Sequence, residues 1–219
     1  MSPHDFDDGA AVTLAPWKVH KFGGSSLADA DCFRRVAELV LANDGPRAGA
    51  VVSAMGGMTD ALLRLTALAE QADESFSQQL AQIGQRYAET ARDLLVGDDL
   101  AAVLDAWAED GEGIRDVLNA AALVRSAPQR SQDVVAGYGE IWAARLLTAT
   151  LRRMAPERNP VFVDARALIH VSETELGPTV LWDRSRAAFA ELLPEDFEGI
   201  AIVTGFIAID EEGLQTTLG

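Results

Sequence analysis

The sequence predicts an α/β domain whose sheet is mostly parallel and covered by helices on both faces. Three observations carry that prediction. Short apolar strands alternate with amphipathic helices along the chain, the order that gives parallel strands joined by helical crossovers. Three of those strands end in loops of small residues: KFGGSS (21–26), SAMGGMTD (53–60) and TGF (204–206). No repeat or low-complexity linker divides the 219 residues, 48% of which are hydrophobic, so a single core suffices.

The first 16 residues are acidic and lack the basic-then-apolar layout of a signal peptide. They read as a disordered leader before a domain covering 17–219. WKVHKFGG alternates and then breaks at two glycines, a strand running into a tight turn. A helix follows, with Phe33, Val36, Ala37 and Val40 on one face and Ser26 as its expected N-cap. GAVVSA is the next strand, and ALLRLTALAEQA the next helix. Residues 75–125 read as a helical insertion, a hairpin laid over the sheet, broken near Gly97–Asp99 and more weakly at Gly111–Gly113.

SQDVVAGYGEIWAARLLTATLRR is the clearest helix, because Val134, Tyr138, Ile141, Trp142, Leu146 and Ala149 recur at helical spacing. PVFVDA is a strand, VLWDRSRAAFAELL a helix, and GIAIVTGFIAI the last strands. The chain then turns at DEEG and enters LQTTL, the second arm of a hairpin.

Composition narrows the function. A net charge of -16 argues against nucleic acid, whose phosphates need a basic face. No apolar run is long enough for a membrane span. The single cysteine, Cys32, excludes an internal disulfide and suits a reducing, cytoplasmic setting; its place on a helix makes it a buried bystander.

Of 18 basic residues only Lys18 and Lys21 are lysine, and both lie on the first strand. Lys18 reads as a surface residue. Lys21 is different, because that strand delivers it to a turn where Gly23 and Gly24 admit a ligand and Ser25 and Ser26 open a helix. Ser53, Gly56, Gly57 and Thr59 repeat the arrangement on a second strand end. Alone, either Gly-Gly describes an ordinary tight turn. Together they suggest a polyphosphate, or a phosphate beside a carboxylate.

There is no G-x-x-x-x-G-K-[ST] P-loop, no glycine fingerprint after a strand for a dinucleotide, no zinc-ligand spacing and no nucleophile elbow. Glu140 directly follows the Gly137–Gly139 pair in a helix, where each glycine costs about 1 kcal/mol relative to alanine. Either something approaches closely there, or Glu140 is a solvated helical carboxylate.

The ordered blocks VHKFGGSSLADADCFRRVA, VVSAMGGMTD, GYGEIWAARLL and IVTGFIAIDEEGLQTTLG resemble the aspartokinases of the amino acid kinase family. The first and third are most similar to the kinase half of bifunctional aspartokinase–homoserine dehydrogenases of the methionine-pathway type. The resemblance covers nearly everything from Trp17 to Gly219.

It implies a three-layer αβα sandwich and phosphorylation of the L-aspartate side-chain carboxylate by Mg-ATP, the first step towards lysine, threonine and methionine. By motif, Lys21 is the catalytic lysine that neutralises the transferring phosphoryl group. Gly23, Gly24, Ser25 and Ser53 hold phosphate, and Thr59 and Glu140 hold aspartate. The resemblance also implies that an arginine-containing R-[GN]-G-S-D motif follows TTLG, supplying the arginine for the substrate carboxylate, with the adenine pocket later still. From this come three expectations: that the 219-residue chain is itself inactive, that its fold is incomplete, and that the longer protein is a homo-oligomer. A related kinase with another acceptor, or a non-catalytic fragment that binds anions or self-associates, is the alternative.

Overall fold

The structure is a computed structural model that describes residues 16–175 and 177–218. The expected leader lies outside the described residues, apart from Pro16. The elements are β1 (Lys18–Phe22), α1 (Ala30–Leu41), β2 (Arg47–Val52), α2 (Met58–Glu70), α3 (Ser75–Leu94), α4 (Gly97–Val124) and α5 (Gln129–Met154). They continue with β3 (Pro160–Val163), β4 (Val171–Thr174), β5 (Gly177–Val180), α6 (Trp182–Leu192), β6 (Gly199–Thr204), β7 (Ile207–Ile209) and β8 (Gln215–Thr217).

The central sheet has the order β1-β2-β6-β3, and every pairing in it is parallel. The α/β prediction is borne out. The two inner strands, RAGAVV and GIAIVT, are buried along almost their whole length, as a parallel strand covered on both faces must be. Side chains alternate between two cores. Ala48, Ala50, Val52, Ile200 and Ile202 face α1 and α5. Ala201, Val203 and Val163 pack with Leu168, Leu193, Phe197 and Trp17 on the other face. There α6 contributes Phe189, whose ring lies edge-on to Trp17 at 5.9 Å.

Several expectations are corrected. The cap of α1 is Asp29, not Ser26: its carboxylate accepts from Cys32 N at 2.8 Å, while Ser25 and Ser26 belong to a separate 3-10 turn over Gly24–Leu27. The helical insertion forms two helices that part at Leu95–Val96. No break occurs at Gly111–Gly113, which are interior to the long α4. This hairpin packs chiefly on α1, α2 and α5 rather than directly on the sheet.

Sandwiched between hairpin and sheet, α5 is buried almost all round from Val135 to Leu151. β7 does not extend the central sheet but pairs with β8 in a separate antiparallel ribbon. The β4–β5 hairpin went unanticipated, because its strands are short and one holds Pro178. Among the described residues no helix is long and apolar enough to cross a membrane.

Candidate active site

Ligands of parallel α/β sheets bind beyond the carboxyl ends of the strands, and a cavity lies there. It has a volume of about 450 Å³ and is lined by Lys21 from β1, Val51 and Val52 from β2, Ser53 and Thr59 after it, Glu140 from α5, Gly205 and Phe206 after β6, and Leu218. The structure therefore gathers Lys21, Ser53, Thr59 and Glu140, residues separated by up to 119 positions (140 − 21) in sequence, into one lining.

Lys21 is the penultimate residue of β1 and is exposed. Its side chain makes no hydrogen bond or ion pair with any described residue, so its charge is free for an anion. Parallel pairing sets Lys21 opposite Val51, which fixes the height at which it leaves the sheet. Beyond the strand the two glycine loops meet backbone to backbone. A Cβ on Gly24 would sit 3.0 Å from Ala54 O, and one on Gly56 would sit 3.2 Å from Gly24 O. A Cβ on Gly23 would meet nothing within 4 Å, so open space lies there.

Neither Gly23, Gly24 nor Ser25 lines this cavity. Ser25 borders a separate depression with Cys32 and Arg35, and its carbonyl faces Cys32 Sγ at 3.9 Å. Because Asp29 already caps α1, the helix terminus left without a side-chain cap beside the cavity is that of α2. Its N-cap is Gly57 (φ +73°) and its second residue is Thr59. The positive end of a helix dipole thus faces the second loop rather than the first.

Glu140 is 1% exposed. Its Oε1 accepts from Ala54 N at 3.2 Å and from Ser53 Oγ at 3.5 Å, whereas Oε2 is buried with no partner among the described residues. Burial pushes its carboxyl up to about 7, and the Ala54 amide opposes that rise only in part. An unpaired buried oxygen of this kind costs about 1–3 kcal/mol, more when charged. A cationic group entering the cavity would remove that penalty.

The flanking glycines have a different explanation from the one expected. What approaches them is the chain itself: a Cβ on Gly137 would stand 2.2 Å from Gln215 Nε2, and one on Gly139 would stand 2.8 Å from the Ala54 Cβ. Glu140 is thereby held against the Ser53–Ala54 loop.

Phe206 and Leu218 form a wall that sequence reasoning missed. Phe206 has φ +62°, a conformation that costs a bulky residue energy and is tolerated where the surroundings enforce it. Leu218 N donates to Phe206 O at 2.8 Å, closing the mouth of the β7–β8 ribbon. The available signal was the TGF triplet at a strand end, which marks the place but not the side chain.

A model of the amino acid kinase family matches residues 16–219. The chain is 33% identical over 205 residues to bifunctional aspartokinase/homoserine dehydrogenase 2, chloroplastic, of Arabidopsis thaliana, covering 92% of this chain and 22% of that protein. It is 31% identical over 203 residues to bifunctional aspartokinase/homoserine dehydrogenase 2 of Escherichia coli K12, covering 92% and 24%. The chain thus spans about a fifth to a quarter of the length of these relatives. Among solved structures, E. coli aspartokinase III in complex with aspartate and ADP superposes with a TM-score of 0.80 at 27% identity, over 93% of this chain and 44% of that one. The same enzyme in complex with lysine and aspartate gives 0.74 at 26% identity, over 92% and 43%.

Proposed function

Since this chain belongs to the amino acid kinase family, we propose that it forms the aspartate- and phosphate-binding part of an aspartate kinase, ATP:L-aspartate 4-phosphotransferase. The observation that carries the reading is Glu140, a buried carboxylate with one unpartnered oxygen, lining the same cavity as the unpaired Lys21. An α-amino acid brings a cationic amino group for the first, and a phosphoryl group brings an anion for the second. Thr59 and Ser53 supply hydroxyls between them.

In this reading an oxygen of the substrate's side-chain carboxylate attacks the γ-phosphorus of ATP. The bond to the β,γ-bridging oxygen breaks, ADP leaves with that electron pair, and 4-phospho-L-aspartate forms. No proton is transferred, because the nucleophile is already ionised, so positioning and charge neutralisation supply the catalysis. Lys21 neutralises the developing phosphoryl charge. Gly23, Gly24 and Ser25 border the nucleotide side, and Ser53 joins the two.

Mg²⁺ belongs to this proposal as a companion of the nucleotide. Among the described residues no group of three His, Cys, Asp or Glu is placed to hold a metal, so no protein site for it is assigned. Turnover is assigned to the longer protein, with the segment that the resemblance places after TTLG, and the 219-residue chain is proposed to bind without turning over. A cytoplasmic location and a homo-oligomeric parent complete the proposal, although the Arabidopsis relative is chloroplastic by name.

Competition binding decides the acceptor. L-aspartate should protect the chain, while L-glutamate and N-acetyl-L-glutamate, whose capped nitrogen carries no charge, should not. Equal protection by N-acetyl-L-glutamate would overturn the role given to Glu140.

A further inference from the structure

One side chain, Gln215 at the start of β8, joins the cavity's apolar wall to the helix that carries Glu140. Gln215 Nε2 donates to Asp133 O at 2.8 Å and to Val134 O at 3.4 Å, both on α5. Its Oε1 accepts from Arg166 Nη1 at 3.0 Å. Arg166 is itself fixed, because its Nε and Nη2 fork onto the Asp164 carboxylate. The amide occupies a notch that exists because residue 137 is glycine, with Ile207 Cγ2 closing it at 2.8 Å from where a Cβ would stand.

Asp133 lies seven residues before Glu140, about two helical turns, and Gln215 is three residues before the wall residue Leu218. A second, longer tie to the same helix comes from Thr217, whose Oγ1 donates to Asp133 Oδ1 at 3.4 Å, and the ribbon's further side-chain ties lie away from the cavity. Asp210 at its turn pairs with the half-exposed Arg130, and Thr216 donates to Glu173. Neither lies at the end that meets the cavity.

We infer that Gln215 is a positioning residue: its amide sets the spacing between Glu140 on α5 and the Phe206–Leu218 wall, and Gly137 is the socket that receives it. The mechanical half of this inference stands on the geometry alone. The half concerning substrate rests on the reading of the cavity as an aspartate site.

Hydrogen exchange on the full 219-residue chain, paired with calorimetric titration of L-aspartate, tests both halves. Gln215→Glu keeps the size of the side chain and its acceptor for Arg166. It replaces the donor by a carboxylate facing two carbonyl oxygens. Exchange across Ile207–Leu218 should rise roughly five- to tenfold, the equivalent of one net hydrogen bond, with exchange in β2 and β6 unchanged. The Kd for L-aspartate should rise by a comparable factor. If the carboxylate prevents folding, Gln215→Met, similar in length, removes the donor together with the acceptor for Arg166, and the same exchange pattern is expected.

Unchanged exchange in the ribbon, or a rise spread evenly over the molecule, overturns the latch. A loosened ribbon with unaltered L-aspartate affinity overturns its positioning role. Absence of L-aspartate binding by the unsubstituted chain counts against the proposed function instead, and the exchange comparison still decides the latch.

Discussion

Two residues of opposite charge carry the account, and the structure treats them oppositely. Lys21 is exposed and unpaired, so Lys21→Ala should leave the unfolding midpoint nearly unchanged while removing any stabilisation by Mg-ATP, which thermal-shift titration checks. Glu140 is buried, with its carboxyl raised to about 7. In the unfolded chain it titrates near 4.5, so between those values the folded state binds more protons and stability falls as pH rises.

Removing the charge should therefore stabilise the unliganded protein. Glu140→Gln is expected to gain up to about 3 kcal/mol above pH 7, with no gain below about pH 4.5, by urea titration. The same substitution should abolish L-aspartate binding. In the unsubstituted chain that binding should weaken as pH falls through about 7, as the carboxylate protonates and loses its hold on an ammonium. A destabilised group at a binding site is the usual exchange of stability for function.

At the scale of elements, the site depends on how closely α5 is gripped. Asp110 on α4 accepts from Trp142 Nε1 at 3.0 Å and pairs with Arg145, anchoring α5 to the helical hairpin one turn past Glu140. Within the hairpin a Cβ on Gly84 would stand 2.2 Å from the Trp107 ring. Helix propensity alone predicts that Gly84→Ala stabilises by about 1 kcal/mol. The packing predicts the opposite sign, a loss of about 1–3 kcal/mol from overpacking, and thermal unfolding of the variant distinguishes the two.

The same closeness explains what the sequence could and could not reveal. A helix with a clear period, such as α1, was legible because one face of it is buried, and β1 was legible from its alternation and the two glycines that end it. The double glycine of α5 announced a close approach, but a linear pattern cannot say whether the visitor is a ligand or Gln215. The cap of α1 was misplaced because Ser26 and Asp29 both satisfy the cap chemistry, and only the 3-10 turn over Gly24–Leu27 separates them. The TGF triplet marked the place of Phe206 but not its role, and Leu218 gave no signal, since an apolar residue lining a cavity looks like one lining a core.

On the scale of the whole molecule, a parallel sheet brings the ends of β1, β2 and β6 to one side, and the cavity forms where they stop. That much follows from strand–helix alternation and the loops at 21–26, 53–60 and 204–206. The net charge of -16 makes the molecule repel itself, so the unfolding midpoint should climb as salt is raised from about 0.01 to 0.15 M, where the screening length falls from about 30 to 8 Å. Against that acidic field a site for an anion depends on Lys21, the loop amides and the open terminus of α2.

The central claim is that Lys21 and Glu140 are the two ends of one site. Calorimetric titration of Mg-ATP and of L-aspartate into the unsubstituted chain, Lys21→Ala and Glu140→Gln tests it most directly. The account predicts that the unsubstituted chain binds both, that Lys21→Ala loses the nucleotide, and that Glu140→Gln loses the amino acid while still binding the nucleotide. Titration curves for both ligands that are the same in all three proteins would contradict it.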